Sequence, residues 1–460
     1  MNPGKTKMKP MMMLLRAAMC SSLFLCQAVM AGPVQLSHDN QGGALIAPLW
    51  TVDAGNDTLI TVRNNSANPA AIKVRLIGGD GFELLAFNLY LNDDDSWAGA
   101  LTATDAGAAL LFRDESCVLP VIDTAASGLA QIDLPLSERR SGYIEIFEMG
   151  THDGPRVAGA PLPPWPSCAD LAERFEAGDW AMDPATDMSA PQGRISTAVQ
   201  IIDVADGGMI SVPALAIDGF SDIAQHSAPD SAVPNLSTAH GEGTQFNATE
   251  SRRCGSAGCQ ILTWARPIEA VASILAKPAL RGDVSVNPAI GALAELVVTR
   301  PLKRYGAQDG FALGSEAGFA LLDREGRFVE SRVQTVQLSP PPPPKATPIA
   351  LPALATDDAV VAVSFGQTDQ SPFGVDSPLM GLPGDSISLD GTEFVAGHGV
   401  ILFDQTFEQR LTSLEDQQVR GEAAIGVVVL QISNGTLVPD PTTQASVLSN
   451  YRAAETMTPR

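Results

Sequence analysis

Residues 57–77 read DTLITVRNNSANPAAIKVRLI. Ile60 and Val62 alternate with Thr61 and Arg63, and Ile72, Val74 and Leu76 alternate with Lys73 and Arg75. A period of two sends successive side chains to opposite faces of an extended chain, one for a core and one for water. Between the runs, Asn64-Asn65-Ser66-Ala67-Asn68-Pro69 is dense in turn formers. Asn and Ser bond their own backbone there, and Pro interrupts a ladder. The stretch predicts two strands joined as a hairpin with a loop longer than two residues.

The neighbouring segments repeat the pattern. ALIAPLWTV (44–52) and FELLAFNLYL (82–91) are strand-like runs. GYIEIFEM (142–149) puts Tyr143, Glu145 and Phe147 on one side and Ile144, Ile146 and Glu148 on the other. Short strands at this spacing predict a mainly β fold, opening with an antiparallel sandwich over 32–150. The 41 Gly and 34 Pro make roughly one residue in six, above the usual ~12% and suited to many turns.

The 460 residues exceed one small core, and the 45% apolar content supports packed interiors. Residues 1–31 read as a secretory signal. Lys5, Lys7, Lys9 and Arg16 form a basic start, Ala17 to Cys26 is a short apolar run, and Val29-Met30-Ala31 fits a cleavage site after Ala31. The apolar run is about half the ~20 residues a spanning helix needs. No later segment is long and apolar enough, so no transmembrane segment is expected after signal removal. The net charge is −23 and becomes −27 once the four basic signal residues leave. Such a surface repels nucleic acid and anionic lipid.

Cys117, Cys168, Cys254 and Cys259 remain in the mature chain, an even number in an exported protein, so disulfides are the default. Sequence order favours Cys117–Cys168 and Cys254–Cys259 among three possible pairings. A zinc site is the rival for Cys254 and Cys259, but no second pair or nearby His accompanies them.

The remaining chain divides by composition. Residues 151–338 read as a β-rich region with a helical insertion and a long loop. Ser167 caps a helix through CADLAERFEAG that ends at Gly178. Residues 194–220 form two strands about Asp206-Gly207-Gly208, and 225–253, polar and without periodicity, read as a long mobile loop. PIEAVASILAKPAL is helix-like until Pro278, and ALAELVVTRPL and GFALLD are strand-like. Pro340 to Pro344 mark a proline-rich linker over 339–353, stiff in the polyproline II form. AVVAVSF, GVILFD and AIGVVVLQI make 354–460 a C-terminal β-rich unit.

Several constellations bear on chemistry. Asp93, Asp94 and Asp95 form the densest acidic cluster and could supply oxygen ligands to Ca²⁺, although the usual calcium-loop spacing is absent. No other cofactor is indicated. Gly384-Asp385-Ser386 has the form of a lipase nucleophile block, with His398 the only downstream His and no Asp three residues before it. Glu145 and Glu148 suggest paired glycosidase acids, but three apart on a strand they face opposite sides. His38, His152, His226, His240 and His398 lie in polar or Gly-rich stretches, where a surface imidazole is common. Trp50, Trp97, Trp165, Trp180 and Trp264 are too few to fill a core and also build a sugar-stacking face. No catalytic residue is assigned.

GALIAPLWTVDAGNDTLITVRNNS (43–66), AIKVRLI (71–77) and FNLYLNDDDSW (87–97) together resemble an uncharacterised family of exported Gram-negative bacterial proteins with an immunoglobulin-like N-terminal region. GYIEIFEMG and the helix after Cys168 extend the likeness to about residue 180, and NPAIGALAELVVTRPLKRYG adds a later segment. The resemblance implies export and the sandwich and supplies no catalytic residues. The expected function is a non-catalytic structural, adhesive or binding protein of the periplasm, cell surface or medium, with an envelope or extracellular protein or glycan as partner. The alternatives are a secreted hydrolase of unrecognised type and a calcium-stabilised surface module.

Overall fold

The computed structural model describes residues 32–122, 128–134, 140–153, 163–205, 207–241, 248–255, 258–305, 317–329, 349–351, 357–366, 376–389, 394–403, 410–433 and 450–459. The signal reading (1–31), Asp206 and the Pro340–Pro344 run lie outside them. The described residues fall in one compact unit.

The chain is mainly β, in several antiparallel sheets. In the first sandwich, one sheet runs Gln35–Leu36, Leu215–Asp218, Ala44–Thr51, Ser141–His152, Ala70–Gly78, Glu83–Leu91 and Cys117–Leu119 in spatial order. The facing sheet runs Met209–Val212, Ile195–Asp203, Asn56–Asn64, Ser96–Thr104, Gly107–Phe112 and Ala130–Asp133.

This order corrects the hairpin expected at 57–77. Asn56–Asn64 pairs with Ile195–Asp203 and Ser96–Thr104, whereas Ala70–Gly78 pairs with Ser141–His152 and Glu83–Leu91. The two strands belong to opposite sheets, and the intervening residues form a corner. Asn64 Nδ2 holds that corner by donating to the carbonyls of Asn68 and Asn92, each at 2.8 Å. Alternation specifies two faces, and it leaves the choice of neighbour to the rest of the chain.

Ile60, Val62, Ile72, Val74, Leu76, Ile144 and Ile146 fill the space between these sheets. Asn56–Asn64 keeps its second face partly exposed, but Ala70–Gly78 and Ser141–His152 are buried on both faces. The cover on that outer face includes residues 219–241, helix α2 (Pro267–Leu275) and the second sandwich.

The second sandwich pairs Ile349–Leu351, Ala317–Asp323, Ala396–Phe403, Ala279–Ser285 and Thr458–Pro459 in one sheet. Its other sheet contains Gly384–Ser388, Val360–Gly366, Ala292–Thr299, Ile425–Ser433 and Asn450–Thr456. Leu280, Leu296, Val298, Phe319, Val361, Val363 and Val428 form the interior. Strands from before and after the proline run therefore share both sheets. On the reverse face of the Ala292–Thr299 sheet, Val297, Ala362, Val427 and Val429 join the same apolar cluster as the first sandwich. One core thus continues across the junction.

Cys117 is bonded to Cys168 and Cys254 to Cys259. The first bond ties helix α1 (Cys168–Glu176) to the edge strand Cys117–Leu119. Ser167 caps α1, its Oγ accepting from the Asp170 N–H. The second staples a two-stranded ribbon, Thr249–Gly255 with Gly258–Trp264. That ribbon corrects the reading of 225–253 as one continuous loop. No helix among the described residues is long and apolar enough to cross a membrane.

Candidate functional site

The densest group of buried charges lies on the outer face of the first sheet. The alternation that turns Ile72, Val74 and Leu76 inward turns Lys73 and Arg75 outward, and both are buried. Residues 225–236 cross over them as a strap. Lys73 Nζ donates to the carbonyls of Ala228 (2.6 Å) and Pro229 (3.2 Å). Arg75 donates from Nε to Pro234 O (2.9 Å) and from Nη2 to Ser231 O (2.8 Å), and pairs through Nη1 with Glu83. Asn88 Nδ2 donates to Ser227 O at 2.8 Å. Four side chains of one sheet face thus bind the strap, three of them through its backbone carbonyls and the fourth, Tyr90, through His226.

Tyr90 OH lies 2.9 Å from His226 Nε2, and His226 Nδ1 faces Pro184 O. Nδ1 therefore carries the proton, and Nε2 accepts from the tyrosine. Burial holds the imidazole pKa down at about 4, so it is neutral at pH 7. Trp165, Trp180 and Phe175 pack around this pair and the Cys117–Cys168 bond. Arg174 lies 3.9 Å over the Trp180 ring and pairs with Asp179 and Asp187.

Glu145 is the deepest acid of the outer face. Tyr305 OH is 3.4 Å from both carboxylate oxygens, and Arg304 Nη1 is 3.8 Å from Oε2, ion-pair rather than hydrogen-bond range. Burial pushes its pKa up, and Arg304 followed by Arg75 pulls it down. The nearby hydroxyl of Tyr143 donates to Pro301 O at 3.1 Å, and burial raises its pKa well above normal. Glu145 is thus clamped by the Arg304 ion pair and the Tyr305 hydroxyl.

Two other buried acids bind backbone. Glu148 leaves the opposite face of its strand and accepts from the N–H groups of Gln192, Gly193 and Arg194 at 2.8–3.1 Å. Glu295 accepts from Ser377 Oγ (2.9 Å) and Leu379 N–H (2.6 Å). The loop so held reaches the first sandwich: Met380 O accepts from Thr51 Oγ1 at 2.8 Å, and Leu379 O from Asn56 Nδ2 at 2.9 Å.

The sequence candidates fall elsewhere. Asp93, Asp94 and Asp95 occupy the turn before Ser96–Thr104. Asp95 spends its oxygens on the N–H groups of Asn92 (3.2 Å) and Ser96 (2.8 Å). Among the described residues no group of three His, Cys, Asp or Glu is arranged to hold a metal. Ser386 and His398 stand in different sheets of the second sandwich, and His398 Nδ1 pairs with Asp283 at 2.7 Å. Glu145 and Glu148 diverge, as their spacing on a strand requires. His152 and His226 are buried, which corrects the surface reading for these two. All five tryptophans are buried, so they form no exposed stacking face.

Sequence reasoning missed Lys73, Arg75, Arg304, Tyr305 and Glu295. One signal was present: Glu295 interrupts the apolar run ALAELVV, as a carboxylate buried with fixed partners does. No protein-family model and no curated protein matches the chain.

Proposed function

We propose that this chain is an exported, non-catalytic structural or binding component of a bacterial envelope, displaying loops from two fused sandwiches. One observation carries the reading: Lys73, Arg75, Glu148 and Glu295, ionisable groups buried at high cost, all hold the protein's own backbone. Acid–base catalysis would direct such groups at an open site. Export is supported by two disulfides, which persist in oxidising compartments. The resemblance to exported Gram-negative proteins points the same way. The partner we propose is an envelope or extracellular protein or glycan.

The test is expression with the native leader, followed by fractionation, intact mass and a panel of ester and glycoside substrates. The expected protein lies outside the inner membrane, starts at Gly32, carries both disulfides and turns nothing over. Retention of Met1 in a cytoplasmic fraction ends the export reading. Turnover that is lost in Glu145→Gln or Ser386→Ala ends the non-catalytic one.

A further inference from the structure

The two disulfides occupy opposite environments. Cys117 is 8% exposed and lies with Cys168 among Tyr90, Trp165, Leu171 and Trp180. Cys254 and Cys259 are both exposed, near the free end of the ribbon. The ribbon is a two-stranded sheet anchored at its base. Trp264 Nε1 donates to Ser251 Oγ at 2.7 Å, and Ser251 Oγ meets Ser273 Oγ of α2 at 2.7 Å. Val34 exchanges backbone bonds with Glu250 and Arg252, and Leu414 N–H donates to Thr263 O. None of these anchors involves the sulfurs, so the ribbon keeps its place without the bond.

Register and alternation define the sulfurs' surroundings. Ser251 and Leu262 pair across the ribbon and turn toward α2. The opposite face therefore carries the pairs Arg252 with Ile261 and Cys254 with Cys259. Ile261 is 51% exposed. Arg252 has no ion pair among the described residues. In a chain of net charge −23, an unpaired arginine next to an exposed disulfide is a local exception. A cation there attracts an incoming thiolate and stabilises the thiolate that leaves.

We propose that Cys254–Cys259 is a thiol-exchange site, poised by Arg252, that reacts with thiols of an envelope or extracellular partner. A thiolate attacks one sulfur, the Cys254–Cys259 bond breaks, and a mixed disulfide forms. The displaced sulfur leaves with the bonding electron pair as a thiolate beside Arg252. A second thiolate then attacks the mixed disulfide and releases the oxidised donor. Two electrons pass from two donor thiols to the cysteine pair, and the two donor protons end on Cys254 and Cys259. Ile261 gives a partner an apolar contact beside the reacting sulfurs. The partner's location rests on the export reading, whereas the exchange chemistry does not, so the test below is independent of it.

The folded protein is incubated with reduced glutathione, quenched by alkylation and mapped by mass spectrometry, with circular dichroism to confirm that it stays folded. Cys254 and Cys259 are expected to label while Cys117–Cys168 stays bonded. Arg252→Gln, a surface change, should slow labelling by about threefold or more at low ionic strength, and the difference should shrink in 1 M salt. Equal reduction of both disulfides, labelling only on unfolding, or an unchanged rate in Arg252→Gln overturns the proposal.

Discussion

Glu295 shows how one residue sets a response to pH. It is fully buried, and burial raises its pKa to about 7 against the ordinary 4.5, its bonds to Leu379 N–H and Ser377 only partly offsetting this. Between those two values the folded protein keeps a proton that the unfolded chain has lost. This contribution to stability is therefore complete below pH 4.5 and is lost as pH rises through 7, on the order of 3 kcal/mol in all. His226 acts in the opposite sense. Its folded pKa of about 4 lies below the ordinary 6.5, so its neutral form is favoured as pH rises toward 6.5. The two slopes overlap, and a difference between variants separates them. Urea unfolding of wild type and Glu295→Gln from pH 4.5 to 8 should give a gap that changes steadily across the window, with the glutamine protein gaining relative stability at the alkaline end. A constant gap would mean that Glu295 does not titrate there. Glu295 was visible in the sequence only as an acid in an apolar run. Lys73 and Arg75 looked solvent-facing, because alternation separates two faces without saying whether the second is wet. The strap that dries them comes about 155 residues later.

At the scale of elements, the strap depends on Arg75 more than on its own side chains. Arg75→Ala leaves the carbonyls of Ser231 and Pro234 without their donor and leaves Glu83 with Arg304 alone, at 3.4 Å. The expected loss is about 3 kcal/mol, with new proteolytic cuts within 225–236. Protection of that segment equal to wild type would show that the aromatic contacts of His226 suffice. The Cys117–Cys168 bond closes a span of 51 residues. Cys117→Ser with Cys168→Ser should cost about 4 kcal/mol by loop entropy, read from the urea midpoint. Helix α1 was legible in full, since Ser167, the Leu171 and Phe175 spacing and Gly178 are local signals. The corner at 64–69 and the ribbon at 249–264 were less so. A turn-rich stretch reads alike whether the chain folds back in its own sheet or crosses to the next, and the partners that decide it lie as far away as Ile195–Asp203. The Thr249–Gly255 strand is polar because only its base is buried, so it carries no apolar alternation to find.

For the whole molecule, the junction between the sandwiches decides how the protein unfolds. Composition suggested separable units, with a proline run between them. The apolar cluster instead runs from Trp50 and Ile144 through α2 to Val297 and Val427 without interruption. Polar bonds reinforce the same seam. Arg452 of the last long strand donates to Gln431 (2.6 Å), to Asn56 (3.1 Å) and to Asp203 (2.6 Å), the last two in the first sandwich. The side chains of Arg452 and Asp203 are 6% and 7% exposed, so removing the cation takes a buried ion pair from the seam. Arg452→Ala should therefore cost about 3 kcal/mol. Two independent sandwiches would respond with a second thermal transition, because the damaged seam would release one before the other. A shared core cannot part without exposing the faces of both, so calorimetry of Arg452→Ala should show one transition, moved to lower temperature with its cooperativity kept. Splitting into two peaks would show that each sandwich carries its own stability and that the seam is a docking contact between finished domains.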